Sequence, residues 1–258
     1  MSIGFVLLIF VLGFVGSFLS GMLGIGGAII NFPILLYVPA LLGFSSFSAH
    51  EVAGIVAVQV FFSTLSGAWY YRKSEYVNKA LVLYMGSSIL IGSYIGSYGS
   101  KLISEAQINI LYAVLATIAA IMMFVPRKGL DDVSLQKVTF NRWIAVISSF
   151  IVGSVSGIVG AGGAFILVPI MLVILKVPTR MTIASSLVIT FISSIGATTG
   201  KLMTGQIVWI PAAIMVIASI LASPLGAKMS KKVSAKMLQG ILAALILATS
   251  LKIWIGML

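Results

Sequence analysis

The 258-residue chain has no cysteine, one histidine (His50) and only five acidic residues. Without cysteine there are no disulfides, no thiol catalysis and no thiolate metal sites. A single histidine cannot build a histidine metal cluster. The carboxylates are Glu51, Glu75, Glu105, Asp131 and Asp132, and none falls in the middle of an apolar run. Carriers of cations and proton pumps usually hold a carboxylate within the membrane. Its absence favours an anionic or neutral cargo. There is no HExxH, no paired carboxylates and no serine GxSG motif, so the chain is not expected to be an enzyme, nor to hold a cofactor or metal.

Charged residues are also scarce, at 8% against 60% hydrophobic. Soluble domains are about a quarter charged. Apolar runs of about 20 residues, long enough to cross a bilayer, recur almost end to end. The expected fold class is an all-α polytopic membrane protein with the lipid bilayer as its partner. The first residues carry no positive charge, so the first run reads as a mature helix and not a cleaved signal.

Ten apolar segments can be drawn, at roughly 3–23, 27–43, 52–71, 79–99, 107–125, 143–160, 164–176, 182–200, 207–227 and 237–257. The second and seventh are short for a full span. The most polar stretch, 126–142, divides five segments from five. This gives a first membrane repeat at 1–125, a cytoplasmic linker at 126–142 and a second repeat at 143–258.

The halves carry matching marks. Gly21-Met22-Leu23-Gly24-Ile25-Gly26-Gly27-Ala28, followed by Pro33, returns 136 residues later as Gly157-Ile158-Val159-Gly160-Ala161-Gly162-Gly163-Ala164, followed by Pro169. Ser93 to Lys101 parallels Ser223 to Lys231, and Gly67-Ala68 parallels Gly196-Ala197.

Lysine and arginine place the loops. If every segment crosses, one side receives Arg72, Lys73, Lys79, Arg127, Lys128, Lys137, Arg142, Lys176, Arg180, Lys228, Lys231, Lys232 and Lys236. The other receives Lys101 and Lys201. The rich side is the expected cytoplasmic side, which puts both termini outside. The net charge of +11 is therefore topogenic, and no nucleic-acid partner is implied. Five segments per half would make the repeats inverted, with a substrate site near the midplane. The charge count holds whether the second and seventh segments cross fully or form re-entrant hairpins with their neighbours.

The glycine turns are the leading candidate site. Glycine lets an anion approach the unpaired N–H groups at a helix start. The candidate residues are Gly24, Gly26, Gly27, Asn31, Gly160, Gly162, Gly163 and Ala164. Close helix packing is the alternative reason for the same glycines. Hydroxyls on the eighth segment could donate to an anion: Ser185, Ser186, Thr190, Ser193 and Ser194. They equally suit local helix bonding. The third segment offers Gln59, Ser63, Thr64 and Ser66. His50-Glu51 reads as a cap or a proton relay, and Lys201 as an outer-face cation.

The duplicated Gly-x-x-Gly-x-Gly-Gly-Ala with proline five residues on resembles the TauE/SafE family of sulfite exporters and sulfonate permease-like transporters. Thr182 to Leu187, Gly205 to Trp209 and Leu225-Gly226-Ala227 carry the same resemblance. It implies an inner-membrane (plasma-membrane) secondary transporter for a small sulfur-containing anion such as sulfite or a sulfonate. Alternating access, with a proton or sodium as coupling ion and a homo-oligomeric state left open, is the expected mechanism. An anion channel or a non-transporting accessory subunit are the alternatives. The first half has Ala53 to Val58 where the resemblance calls for a Thr-Ser-Leu-like stretch, so only the second-half hydroxyls are carried over.

Overall fold

The computed structural model describes residues 2–71, 74–123 and 138–257. Arg72, Lys73 and residues 126–137 of the expected linker lie outside the described residues. Among the described residues the chain forms helices and no strands. They are α1 (Ile3–Leu23), α2 (Ala28–Leu41), α3 (Ala49–Tyr71), α4 (Lys79–Gly99), α5 (Glu105–Met123), α6 (Arg142–Val159), α7 (Ala164–Pro169), α8 (Thr179–Met203), α9 (Trp209–Ser230) and α10 (Ala235–Met257). A π-helical turn, Ile170–Ile174, continues α7.

Polar residues mark the helix starts. Asn78 Oδ1 accepts from Ala80 N and Leu81 N at the start of α4. Asn141 Oδ1 accepts from Trp143 N and Ile144 N at the start of α6. Each satisfies first-turn donors that have no partner within the helix.

Among the described residues, seven helices are long and apolar enough to cross a membrane: α1, α3, α4, α5, α6, α8 and α9. Their exposed residues include many large apolar ones, such as Leu7, Leu83, Ile147 and Ile217. Such a surface suits lipid and not water. α2 and α7 are shorter than the seven.

Close helix pairs fix the directions. A Cβ on Gly13 would touch Met215, and one on Gly21 would touch the Ser223 backbone, so α1 and α9 run the same way. α3 joins them: Ser223 Oγ donates to Ser63 O at 2.7 Å, and Tyr71 Oη donates to Ala227 O at 3.3 Å. A second set comprises α4, α6 and α8. Gly153 faces Ile89 and Gly157 faces Ser93, while Gly196 faces Leu90 and Gly200 faces Ser97. The two sets oppose each other. Thr198 Oγ1 donates to Ala57 O at 3.1 Å, and the Phe61 and Phe191 rings lie 5.4 Å apart, so α3 and α8 cross in opposite senses.

The hairpin α1–α2 begins and ends on one face. The Phe5 ring lies 5.3 Å from Phe44 and 5.8 Å from Phe47, just beyond α2. Glycine at these crossings allows backbone to touch backbone, as in other close-packed membrane helices.

Candidate functional site

The glycines of the duplicated turn have separate tasks. Gly24 (φ 76°) and Gly160 (φ 74°) end α1 and α6 in the left-handed conformation. A Cβ on Gly24 would lie 2.7 Å from Ile183 O, and one on Gly160 would overlap Ala53 O. These two serve close packing, one against α8 and the other against α3.

The next pair converges. A Cβ on Gly26 would lie 3.0 Å from Thr190 Cγ2 and 3.3 Å from Val60 Cγ1. A Cβ on Gly162 would lie 2.9 Å and 3.0 Å from the same two atoms. Both turns therefore meet where α3 and α8 cross. Val60 and Thr190 are near the middle of those helices, so the meeting point is at mid-depth.

The last pair, Gly27 (φ 82°) and Gly163 (φ 77°), starts α2 and α7. Here the halves differ. A Cβ on Gly27 would be 3.2 Å from Gln59 Nε2, 3.3 Å from Ser20 Cβ and 3.4 Å from Asn31 Nδ2. At Gly163 the nearest atoms are Ser156 Oγ at 2.8 Å, Val152 Cγ1 at 2.9 Å and Ile89 Cδ1 at 3.3 Å. The first turn is lined by amides, the second mostly by hydrocarbon. Applying the 136-residue offset, Ser17 and Asn31 become Gly153 and Leu167 in the second half. Gln59 falls against the apolar Val188-Ile189.

The amide cluster is fully buried, with Ser17, Ser20, Asn31 and Gln59 all at 0% exposure. Gln59 Nε2 donates to Ser17 Oγ at 2.7 Å. Asn31 Nδ2 and Oδ1, Gln59 Oε1 and Ser20 Oγ have no hydrogen-bond partner. Ser63, one turn beyond Gln59 on α3, also has an unpartnered hydroxyl. Buried polar atoms are nearly always paired, so a group of them in one place calls for a reason. Gly16 has no side chain at the point where Asn31 lies; a Cβ there would overlap Asn31 Oδ1.

The second-half hydroxyls divide. Thr190 sits at the convergence, fully buried, with Oγ1 unpartnered. Ser193 is also buried with an unpartnered hydroxyl, while its carbonyl accepts from Ser93 Oγ at 2.7 Å. Ser186 Oγ donates to Gly24 O at 2.7 Å and so fastens the first turn to α8. Ser194 Oγ donates to Phe191 O in its own helix at 2.7 Å. Ser185 Oγ accepts from Asn78 N at 3.0 Å, away from both turns, and holds the α3–α4 connection. Ala164 opens α7 and is fully buried. The structure thus brings Gly26, Gly162 and Thr190 together, and Gly27 with Asn31. It gives Ser185 and Ser194 other partners.

No local sequence pattern marks Tyr112. Pro33 has no N–H, so the Ile29 carbonyl lacks its usual helix donor. Tyr112 Oη, from α5, donates to that carbonyl at 2.5 Å. The Tyr112 ring stacks 4.7 Å from Phe32 on α2 and 5.8 Å from Phe165 on α7. It ties both short helices to α5. Tyr112→Phe should destabilise the protein by about 1–3 kcal/mol, because it leaves a buried acceptor unpaired. In a Pro33→Ala background, which restores the donor, thermal unfolding should show a much smaller loss.

Open grooves lie at the periphery. One of about 600 Å³ between α3 and α9 is lined by Phe62, Leu65, Trp69, Tyr70 and Ile220. Its chemistry suits lipid chains and not a polar solute.

A family model described as "Sulfite exporter TauE/SafE" matches residues 9–253. The chain is 24% identical over 230 residues to the "Probable membrane transporter protein YunE" of Bacillus subtilis (strain 168), covering 82% of this chain and 83% of that one. It is 28% identical over 224 residues to a "Probable membrane transporter protein" of Haemophilus influenzae, covering 86% of this chain and 84% of that one. No solved structure matches.

Proposed function

The chain belongs to the sulfite exporter TauE/SafE family and is a multi-pass membrane transporter, and from that premise we propose that it is a secondary carrier for a small sulfur-containing anion such as sulfite or a sulfonate. The observation that carries this reading is the convergence of Gly26 and Gly162 on Thr190 and Val60. Two breaks in helices meeting at mid-depth are a common design for a carrier's substrate site. α2 begins directly after Gly27, so its unpaired first N–H groups and the positive end of its macrodipole would lie beside this region. Gly26, Gly27, Asn31 and Thr190 would line the anion's seat, with Gly24 holding the turn against α8. Gly162, Gly163 and Ala164 would close it from the other half, with Gly160 packed against α3. Ser186 would hold the first turn in place, and Ser193 would offer a further hydroxyl. Ser185 and Ser194 have other partners and are left out.

In this reading residues 1–125 and 143–258 are inverted repeats that rock around the seat. Support comes from helix directions: α1 runs with α3 and α9, while α6 runs with α4 and α8, opposite to them. The membrane is the cytoplasmic one, with both termini outside. A reporter fused after Leu258 should read outside the cell; a cytoplasmic reading would remove the inverted arrangement.

The direct test is counterflow in proteoliposomes holding only this protein. Unlabelled methanesulfonate or sulfite trapped inside should accelerate entry of the labelled anion. Single-channel currents would establish a channel instead. Protein-independent flux would leave an accessory role.

A further inference from the structure

The two glycine turns are equivalent in backbone but not in chemistry, and the difference bears on charge. We infer that the anion seat belongs to the first turn, formed by Ser20, Gly27, Asn31 and Gln59, and that it takes singly charged oxyanions in preference to doubly charged ones. This inference rests on the anion-carrier reading above and specifies its substrate class.

Three observations combine. Ala28 and Ile29 head a 14-residue helix, and the first bonds within it go from Ile30 N and Asn31 N to Gly27 O. The N–H groups ahead of them therefore have no helix acceptor. Second, the amide nitrogens of Gln59 and Asn31 lie 3.2 Å and 3.4 Å from the place where a Gly27 side chain would begin. Third, Asn31, Ser20 and Gln59 are wholly buried: Asn31 Nδ2 and Ser20 Oγ have no partner, and Gln59 Nε2, which gives one hydrogen to Ser17 Oγ, keeps its second. Donors from a helix start and two side-chain amides thus gather around Gly27, which has no Cβ to come between them. The matching place in the second half is lined by Val152, Ile89 and a serine. That serine, Ser156, donates to Gly153 O in its own helix at 3.4 Å.

The charge preference follows from what is missing. α1 and α2 carry no Lys, Arg, His, Asp or Glu. On α3, His50 and Glu51 lie two turns or more from Gln59, at the end of the helix. Lys228 and Lys236 fall at the last turn of α9 and the first turn of α10. Lys201 is committed elsewhere, to Ser100 Oγ, Ile158 O and Gln206 Oε1. The cost of stripping water from an ion rises with the square of its charge. Attraction to neutral dipoles rises only in proportion to charge. With no cation beside it among the described side chains, a seat of neutral donors can offset the dehydration of one charge but not of two. Sulfonates and hydrogensulfite fit; sulfate does not.

The test uses thermal stabilisation of the purified full-length protein by three probes at pH 5 and pH 8. Methanesulfonate is singly charged at both. Sulfate is doubly charged at both. Methyl phosphate passes from one charge to two at a pKa of about 6. Methanesulfonate should stabilise at both pH values, and sulfate should need at least about tenfold more for the same shift. Methyl phosphate should behave like methanesulfonate at pH 5 and like sulfate at pH 8. Asn31→Leu and Gln59→Leu should abolish the methanesulfonate shift. Ser20→Ala, a milder change, should weaken it about tenfold.

Sulfate binding as well as methanesulfonate, with both weakened in Ser20→Ala, would overturn the charge preference and leave the anion carrier standing. An undiminished methanesulfonate shift in Ser20→Ala and Asn31→Leu would overturn the placement. If no anion stabilises and none shows counterflow, the carrier reading fails and takes this one with it.

Discussion

Gly162→Val should insert and fold but show no measurable transport. A side chain at this position would begin 2.9 Å from Thr190 Cγ2 and 3.0 Å from Val60 Cγ1, at a backbone φ of 63°. The left-handed conformation adds about 1–2 kcal/mol for a residue with a Cβ. Alanine is the sharper probe because it adds only the first atom. Gly162→Ala, and Gly26→Ala opposite it, should each lower transport at least about tenfold, which corresponds to about 1.4 kcal/mol. Both substitutions place a methyl against the same Thr190 and Val60 atoms. Thr190→Ser removes the obstructing methyl and keeps the hydroxyl. It should therefore restore part of the activity of either alanine variant, and Val60→Ala should do the same. Such rescue separates crowding at the meeting point from a general loss of stability. Wild-type flux in both alanine variants would make the turns packing devices and nothing more.

Lys201→Met should produce the largest loss of stability from a single substitution outside the turns. Lys201 is fully buried near the end of α8. Its ammonium donates to Ser100 Oγ at 2.8 Å, Ile158 O at 2.8 Å and Gln206 Oε1 at 2.7 Å. Ile158 is in the last turn of α6, where carbonyls lack helix donors and the macrodipole is negative. The lysine thus caps α6 and joins it to α4, α8 and the α8–α9 turn. Hydrogen bonds to a charged group contribute about 1.5–3 kcal/mol each, offset by the cost of burying the charge. Ser100 and Gln206 can still bond each other, since Gln206 Nε2 already lies 3.2 Å from Ser100 Oγ. Ile158 O would be left alone. The expected net loss is on the order of 3 kcal/mol, or about 10 °C in unfolding midpoint for a chain of this size. Lys201→Gln, which can keep one or two of the bonds, should fall between. A methionine variant more stable than wild type would mean that burial of the charge outweighs its bonds, as happens in some buried ion pairs. Lysine would then be kept for a reason other than stability.

From its place in the sequence, Lys201 is expected to be a cation on the outer face. It lies inside the protein because α8 continues to Met203, past the expected end at residue 200. The extra turn carries its side chain into the space between α6 and the short 3-10 turn at Ser100. The hydroxyl assignments fared unevenly for a similar reason. Helical spacing put Ser186, Thr190, Ser193 and Ser194 near one another, but serine in a helix can bond its own preceding turn. Ser194 does so. Thr190 meets both glycine turns, a relation between residues 26, 162 and 190 that no local pattern contains.

By itself, the sequence determined the helical segments and the two glycine turns. Apolar length sets where helices can cross lipid, and each expected segment falls on a helix among the described residues, with 79–99 matching α4 at both ends. The repeated Gly-Gly-Ala determined where α2 and α7 begin, because glycine takes the left-handed entry at residues 27 and 163 without the strain a Cβ would add. Only the tertiary structure decided that the turns meet at mid-depth and that their surroundings differ. Ser20, Asn31 and Gln59 come from three helices, and each alone looks like an ordinary polar residue in an apolar run. Their shared burial with polar atoms left unpaired appears only when α1, α2 and α3 are packed, since hydrogen-bond satisfaction is a property of the whole neighbourhood and not of any one segment.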